Sequence, residues 1–230
     1  MTDLATPPIA ARPAPSPHAL PSRYKGRTVL AIGAHPDDLE LAVGGTLAKL
    51  RSGGAHVVMA VVSIPANYET RRREAEEAAA ILGCELRILA DGGITRRIED
   101  MKTYELVSLL DAVVKELQPA AVMTHGPSEI HRDHVLVYNA AVSTQRLRYF
   151  DFLSYHPNFC RPVAVQFHPR AYVDVSDTIE AKMAAIVAHR SQFGNRGLPI
   201  DIYRDIARMN GRMLGVQYAE GLDVSRILLA

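Results

Sequence analysis

Residues 28–39 have the sequence TVLAIGAHPDDL, an apolar run that ends in a histidine, a proline and two aspartates. The part Thr28–Ala34 has the length and character of a strand that is buried on both faces. Apolar residues recur at helical spacing after the aspartates, and proline with aspartate commonly starts a helix. His35, Asp37 and Asp38 are therefore predicted to lie in a strand-to-helix turn, where open α/β sheets bind their ligands.

The composition is that of one globular domain of ordinary charge. Hydrophobic residues make up 48% of the 230 residues, enough to fill a core without help from disulfides. The formal net charge of +1 gives no electrostatic reason to expect nucleic acid or an anionic membrane as a partner. No apolar run approaches the ~18 residues of a membrane span. Cys84 and Cys160 show no CxxC spacing, which favours a reducing, cytoplasmic location.

The beginning of the chain differs from the rest. Residues 1–26 contain six prolines and several alanines with little periodicity, which predicts a disordered Pro/Ala-rich extension. They lack the continuous apolar core and the small-residue cleavage site of a secretory signal. We therefore expect a single domain over residues 27–230.

This domain alternates apolar runs with helical patterns, which is typical of a mostly parallel sheet with crossover helices. Strands are predicted at Thr28–Ala34, His56–Ser63, Glu85–Ala90, Ala120–His125, Val163–Phe167 and Ala171–Val175. Helices are predicted at Leu39–Ser52, Tyr68–Leu82, Asp100–Leu117, Val135–Val142, Asp177–Gln192 and Ile202–Leu214. The order predicts a three-layer, Rossmann-like α/β fold with helices on both faces of the sheet.

A nucleotide-binding version of such a fold is disfavoured. Gly44 and Gly45 lie inside the predicted helix and not in the first turn, where a dinucleotide fingerprint needs its glycines. The turn instead carries two carboxylates, which would repel a pyrophosphate.

A second polar cluster follows the strand Ala120–His125, at residues 131–134 with the sequence HRDH. Both clusters fall at the same edge of the predicted sheet, so His134 can complete a site with His35 and Asp38. Two imidazoles and one carboxylate leave a coordination position for water, as catalytic zinc sites do. Such a ligand set also accepts Fe²⁺ or cobalt.

The neighbours of these three residues could supply the acid–base chemistry. Asp37 should point differently from Asp38 and be free to take a proton from a metal-bound water, whose pKa is lowered toward ~7. His131 could stabilise an oxyanion or protonate a leaving amine. Asp133 could either keep His131 charged or orient a metal ligand.

Together these motifs resemble the LmbE/PIG-L family of zinc-dependent N-deacetylases. The resemblance rests on AHPDD at residues 34–38, followed by Gly44-Gly45, and on the HRDH cluster. It extends from about Arg27 to Glu220 through four further motifs: RRRE at 71–74, LADG at 89–92, Lys182 with HRSQ at 189–192, and AE at 219–220. The fold it implies is the LmbE-like version of the three-layer arrangement.

The resemblance implies a hydrolase that removes acetyl from an N-acetylated amino sugar or glycoconjugate, a small-molecule substrate. It makes His35, Asp38 and His134 the zinc ligands. Asp37 corresponds to the family's general base, and His131 to a histidine that assists the transition state. Relatives are often built from several subunits; the resemblance thus allows a homo-oligomer, for which the sequence itself shows no interface.

Two positions qualify this assignment. An arginine at the start of the second helix often binds substrate in the family, which points to Arg71, although Arg72 and Arg73 blur the register. Some members have a tyrosine where this chain has Glu129. An ionised acid there cannot donate a hydrogen bond to an oxyanion, which would leave that task to zinc and His131.

Two other functions stay open at the level of sequence. The same site could hydrolyse an amide with a different acyl group, because the residues of the acyl pocket lie in loops that the pattern does not place. A metal-binding or ligand-binding module without catalysis is disfavoured, because a pure binder has no need for the free carboxylate of Asp37.

Overall fold

The computed structural model of the chain describes residues 20–157, 167–194 and 199–228. The strands are β1 (Thr28–Gly33), β2 (His56–Val61), β3 (Glu85–Ile88), β4 (Ala121–His125), β5 (Asp151–Tyr155), β6 (Ala171–Asp174) and β7 (Ala219–Arg226). The helices are α1 (Leu20–Arg23), α2 (Asp38–Ser52), α3 (Tyr68–Leu82), α4 (Thr103–Leu117), α5 (Arg132–Thr144), α6 (Ile179–Ala188), α7 (Arg190–Phe193) and α8 (Asp201–Met213). A short 3-10 helix spans Ile98–Asp100.

The strands form one sheet in the order β3-β2-β1-β4-β5-β7-β6. The first five strands are parallel, and β7 runs antiparallel to both β5 and β6. The chain goes outward from β1 through β2 to β3 and then returns to the other side of β1 with β4. The strand order therefore reverses between β1 and β4, and the crevice at the carboxyl ends of such a pair is the usual ligand site of an open α/β sheet.

Helices cover both faces of this sheet, which confirms the predicted three-layer fold. Val29 and Ala31 of β1 pack with α2, α3 and α6 on one face. Leu30 and Ile32 pack with α4 and α5 on the other. Because neither face meets water, the central strands are continuous apolar runs rather than alternating ones. None of the helices in the described ranges has both the length and the apolar character that crossing a membrane requires.

Two strands, β5 and β7, were not predicted from the sequence, and both contain charged residues that are buried in the fold. Strand β5 begins with Asp151 and strand β7 contains Glu220, and each of these acids is almost fully buried. Isolated acids lower the apolar content of a short segment, so its pattern no longer indicates a buried strand. The strand predicted at Val163–Phe167 lies outside the described residues except for Phe167, which is not in a strand. The helix predicted from Asp177 to Gln192 is divided at His189 into α6 and α7.

The structure describes the last residues of the predicted extension, residues 20–26, and packs them against the domain. Helix α1 leads to Tyr24, which is completely buried. The Tyr24 hydroxyl and the Arg23 Nε each donate a hydrogen bond of 2.8 Å to Asp151 Oδ2. The Leu228 N–H donates to the other oxygen of Asp151 over 3.1 Å, so this one acid fastens both ends of the described chain. Residues 1–19 and Cys160 lie outside the described residues.

Helix α2 is broken in the protein interior, and a buried ion pair fills the break. Val43 has non-helical dihedral angles (φ −133°, ψ 16°). Lys182 of α6 donates hydrogen bonds to the carbonyls of Leu41 and Ala42, over 2.9 and 3.4 Å. On the other side of the break, Glu220 accepts the N–H groups of Gly45 and Thr46, over 3.0 and 2.6 Å, and it pairs with Lys182 at 2.5 Å.

Glycine is needed at position 45 for this approach. A Cβ there would lie 2.9 Å from Val175 Cβ and 3.2 Å from Glu220 Oε1. The glycine pair that the sequence places inside the helix therefore lets α6 and β7 reach the broken turn.

The Lys182–Glu220 pair makes a prediction about stability. Lys182→Met removes one partner and leaves a buried carboxylate uncompensated, so we expect the free energy of unfolding to fall by about 3–5 kcal/mol. Arg190→Met is the matched control, because Arg190 pairs with Glu77 at the exposed surface and such a pair contributes little. Urea unfolding of both variants measures the difference. Equal decreases in the free energy of unfolding of the two variants would show that the buried pair stabilises the fold no more than the exposed pair.

Asp151 makes a prediction about pH. Burial alone would raise the pKa of Asp151, but the hydrogen bonds from Tyr24 and Arg23 outweigh it and hold the pKa below 3.8. A lowered folded-state pKa contributes stability above the ordinary value, and this is lost as the pH falls through the folded pKa. Asp151→Asn should therefore cost about 1.5–3 kcal/mol at pH 7, and the difference from wild type should shrink below pH 3.8. Urea unfolding at pH 7 and pH 3 tests this; a difference that does not change with pH would contradict it.

Candidate active site

The predicted site residues meet at the carboxyl ends of β1 and β4. They line one open cleft of about 590 Å³ there. His35, Asp37 and Asp38 come from the turn between β1 and α2, and residues 131–134 come from the start of α5. All seven residues that the sequence analysis assigns to catalysis, metal binding or substrate binding line this cleft.

Three of them present ligand atoms to a common point. Candidate donor atoms of His35, Asp38 and His134 all lie within 4.8 Å of one another. Asp38 Oδ1 is 3.2 Å from His134 Nε2, and Asp38 Oδ2 is 3.9 Å from His35 Nδ1. The two imidazole planes are inclined by 47° with centroids 5.9 Å apart, so their lone pairs can converge. Two nitrogens and one carboxylate form a set suited to a divalent metal.

The electrostatics of these residues also favour a cation. Burial alone would raise the pKa of Asp38, but the neighbouring imidazoles of His134 and His125 hold it well below 3.8. Burial would lower the pKa of His134, but Asp38 and Glu129 raise it to about 10. His134 therefore lies between two acids that favour positive charge, and a metal ion beside His134 Nε2 also supplies such charge.

A second group of ligand-type residues lies beneath the first, but its geometry does not suit a metal. Atoms of His125, Glu129 and His134 also lie within 4.8 Å of one another. The rings of His125 and His134 are stacked, with centroids 4.0 Å apart and planes only 17° apart. Lone pairs in nearly parallel planes do not converge on one ion. His125 Nε2 instead accepts the Ala34 N–H over 2.9 Å.

In each candidate ligand histidine, the outer nitrogen, which faces away from Asp38, lies near another carboxylate. His35 Nε2 is 2.9 Å from Asp133 Oδ2, and His134 Nδ1 is 3.3 Å from Glu129 Oε2. Such partners fix the tautomer and the orientation of metal-binding histidines. Of the two roles that the sequence left open for Asp133, the geometry therefore favours orienting a ligand.

Asp37 has an unusual backbone. Its φ is 97° and its ψ is −29°, at the N-cap of α2, a left-handed conformation that aspartate tolerates better than most residues. Arg71 supports the turn, because its Nη2 donates to the Pro36 carbonyl over 2.8 Å and lies 3.7 Å from Asp37 Oδ2. Burial and the neighbouring charge of Asp38 raise the pKa of Asp37 to about 6, against the effect of Arg71.

His131 is held as a hydrogen-bond donor at the wall of the cleft. It is the N-cap residue of α5, and its Nδ1 accepts the Asp133 N–H over 3.2 Å. Nε2 is therefore the nitrogen left to donate a hydrogen bond. Its ring stacks on His134, with centroids 4.6 Å apart and planes 19° apart. Burial and the nearby His134 and His35 lower the pKa of His131.

Three residues beneath the cleft are not among the site residues that the sequence predicts. Glu129 does not line the cleft, so it does not take the oxyanion position; its side chain is fully buried under His134. His125 is also fully buried. His189 is buried 3.1 Å from Glu40, in the helix break after α6. The only signals in the sequence were a histidine at a strand end, an acid two residues before His131, and the HRSQ motif.

The comparisons with known proteins agree with this geometry. A family model described as "PIG-L: GlcNAc-PI de-N-acetylase" matches residues 30–144. The chain belongs to the PIG-L family. The family resemblance seen in the sequence is thereby confirmed, and the matched range contains both polar clusters.

The proteins to which this chain is similar include named deacetylases. The uncharacterized deacetylase YaiS of Escherichia coli (strain K12) is 31% identical, in an alignment that covers 75% of this chain and 95% of YaiS. The diacetylchitobiose deacetylase of Thermococcus kodakarensis is 30% identical, in an alignment that covers 85% of this chain and 82% of that enzyme. The crystal structure of the conserved protein TT1542 from Thermus thermophilus superposes with a TM-score of 0.73 at 27% identity, over 89% of this chain and 97% of that one.

Proposed function

We propose that this PIG-L protein is a metal-dependent N-deacetylase, which hydrolyses the acetyl amide of an N-acetylated amino sugar or glycoconjugate. The observation that carries the proposal is the convergence of His35, Asp38 and His134 beside the carboxylate of Asp37 in one open cleft. A similar enzyme, the diacetylchitobiose deacetylase, is named for such a substrate. An amide is a poor electrophile and an amine a poor leaving group, so the reaction needs both polarisation and proton delivery.

The metal would be held by His35 Nδ1, one or both oxygens of Asp38 and His134 Nε2, since these atoms face one another. When bound there, Zn²⁺ or another divalent ion such as Fe²⁺ polarises the amide carbonyl and lowers the pKa of a bound water. Asp133 orients His35 through the contact at 2.9 Å. The ligand set by itself does not select zinc over the other ions.

Asp37 is the general base in this proposal. It takes a proton from the attacking water, whose oxygen forms a bond to the carbonyl carbon. His131 donates a hydrogen bond from Nε2 to the carbonyl oxygen as negative charge develops there. The C–N bond then breaks, and the proton passes from Asp37 to the leaving amine. Acetate and a free amino sugar are the products.

Arg71 has two tasks in this proposal. Its Nη2 holds the Pro36 carbonyl and so supports the turn of Asp37. It also lines the cleft, where a guanidinium can bind the hydroxyl or acidic groups of a sugar. A cytoplasmic location and a homo-oligomeric assembly belong to the same proposal; the first rests on the cysteine pattern of the sequence and the second on the family resemblance.

The function is tested by acetate release from N-acetylglucosamine, diacetylchitobiose and N-acetylglucosamine conjugates. Metal-stripped protein is compared with protein restored with Zn²⁺, Fe²⁺ or Co²⁺, and we expect release only after restoration. Propionyl and longer amides on the same sugar test whether another acyl group is preferred. No release from any amide by protein with bound metal would overturn the proposal and favour a binding role.

Substitutions at the two neighbouring aspartates distinguish the general base from the metal ligand. Asp37→Asn should keep metal bound but lower kcat by about 100- to 10,000-fold, the usual contribution of a general base. Asp38→Asn should lose metal affinity instead, because it removes the charged ligand. Metal content by mass spectrometry and kcat of both variants measure this. An active Asp37→Asn variant would show that another group takes the proton.

A further inference from the structure

Glu129 contacts three imidazoles beneath the cleft. Its carboxylate is completely shielded from solvent. Oε2 lies 3.3 Å from His134 Nδ1 and 3.6 Å from His156 Nε2, and Oε1 lies 3.8 Å from His125 Nδ1. Histidine nitrogens thus lie near both oxygens of this one acid.

The neighbours of two of these rings determine where their protons belong. His125 Nε2 accepts the Ala34 N–H, so in the neutral ring its own proton is on Nδ1, toward Glu129. His134 directs Nε2 toward Asp38 and Nδ1 toward Glu129. His134 is also stacked between the rings of His125 and His131, at centroid distances of 4.0 and 4.6 Å, which restrains its tilt.

We propose that Glu129 is a positioning residue, which holds His134 and His125 in their Nδ1-protonated forms and thereby keeps His134 Nε2 available to a metal ion. The inference rests on the proposed function, in which His134 is a ligand. Glu129 touches neither the cleft nor the reacting atoms, so it acts only through the histidines.

The chemistry of the carboxylate explains why an acid suits this position. An ionised carboxylate has only acceptor sites, so each imidazole that faces it must present an N–H. An amide in the same place has one acceptor and one donor end, so one of the rings facing it must turn over or change tautomer. Changes to such partners of ligand histidines typically lower metal affinity or activity by about 10- to 100-fold.

The test compares Glu129→Gln with Asp151→Asn. Both variants replace a buried acid with its amide, but Asp151 is at the amino end of β5, on the edge of the sheet opposite the cleft. We expect Glu129→Gln to bind Zn²⁺ about 10- to 100-fold more weakly in competition with a chelator. Asp151→Asn should bind it like wild type. Equal affinity of Glu129→Gln and wild type, or equal losses in both variants, would overturn the proposal.

A measurement on the wild-type protein keeps the proposal testable if Glu129→Gln does not fold. Long-range ¹H–¹⁵N spectra of the imidazoles in zinc-loaded protein show which nitrogen carries each proton. We expect Nδ1–H on both His134 and His125. A proton on Nε2 of His134, with the metal on Nδ1, would overturn the proposal.

The outcomes also separate this inference from the proposed function. If wild-type protein binds no zinc at this site, both fail. If it binds zinc but releases no acetate, only the deacetylase function fails, and the affinities and spectra still decide the role of Glu129. If it binds zinc and releases acetate while Glu129→Gln behaves as wild type, only the role of Glu129 fails.

Discussion

The break in α2 at Val43 is the constraint on which the cleft depends. Peptide groups released from a helix inside a protein must find other partners, because each buried unpaired group costs about 1–3 kcal/mol. Here Lys182 takes the carbonyls before the break and Glu220 takes the N–H groups after it. These charges also oppose the partial charges at the two helix ends that the break creates. The turn of α2 that carries Asp38 is thereby fixed by residues from the last quarter of the described chain.

At the candidate metal site, beside the start of this helix, acids are paired with imidazoles. Asp38 lies between the inner nitrogens of His35 and His134, and Asp133 and Glu129 lie at their outer nitrogens. In a site of low dielectric constant, unpaired charges of this density would be very unfavourable. The arrangement is stable only with positive charge at its centre, supplied by protons or by a metal ion. The acids that orient the histidines therefore also make the binding of a cation at this site favourable.

Part of this could be predicted from sequence, because strand-to-loop positions are local features. Apolar runs before His35 and before the HRDH cluster place both clusters at one sheet edge, and the structure shows that their strands are neighbours. The partners of Lys182 come from distant segments, which a local pattern does not contain. Glu129 faces His125 and His134 of its own segment, but their spacing alone does not show that the three side chains are buried together. Strand β7 was not predicted because it contains the acid Glu220, which can be buried only beside Lys182, a residue distant in sequence. The left-handed φ of Asp37 could not be predicted either, because a proline followed by aspartates also begins helices of ordinary backbone conformation.

That left-handed residue shows how consecutive aspartates can have different tasks. In regular helical conformation, side chains at adjacent positions diverge by about 100° around the axis, and an N-cap residue normally turns its side chain to the helix N–H groups. Asp37 makes no such cap hydrogen bond, and instead Asp38 accepts the His35 N–H over 2.8 Å. This bond ties the candidate ligand to the turn before the helix, and Asp37 keeps a carboxylate that lines the cleft. Its strain, of order 1–3 kcal/mol, is sustained by the Arg71 contact with Pro36. Glycine would relieve the strain but would remove the carboxylate, so the strained conformation and the chemistry belong to the same residue.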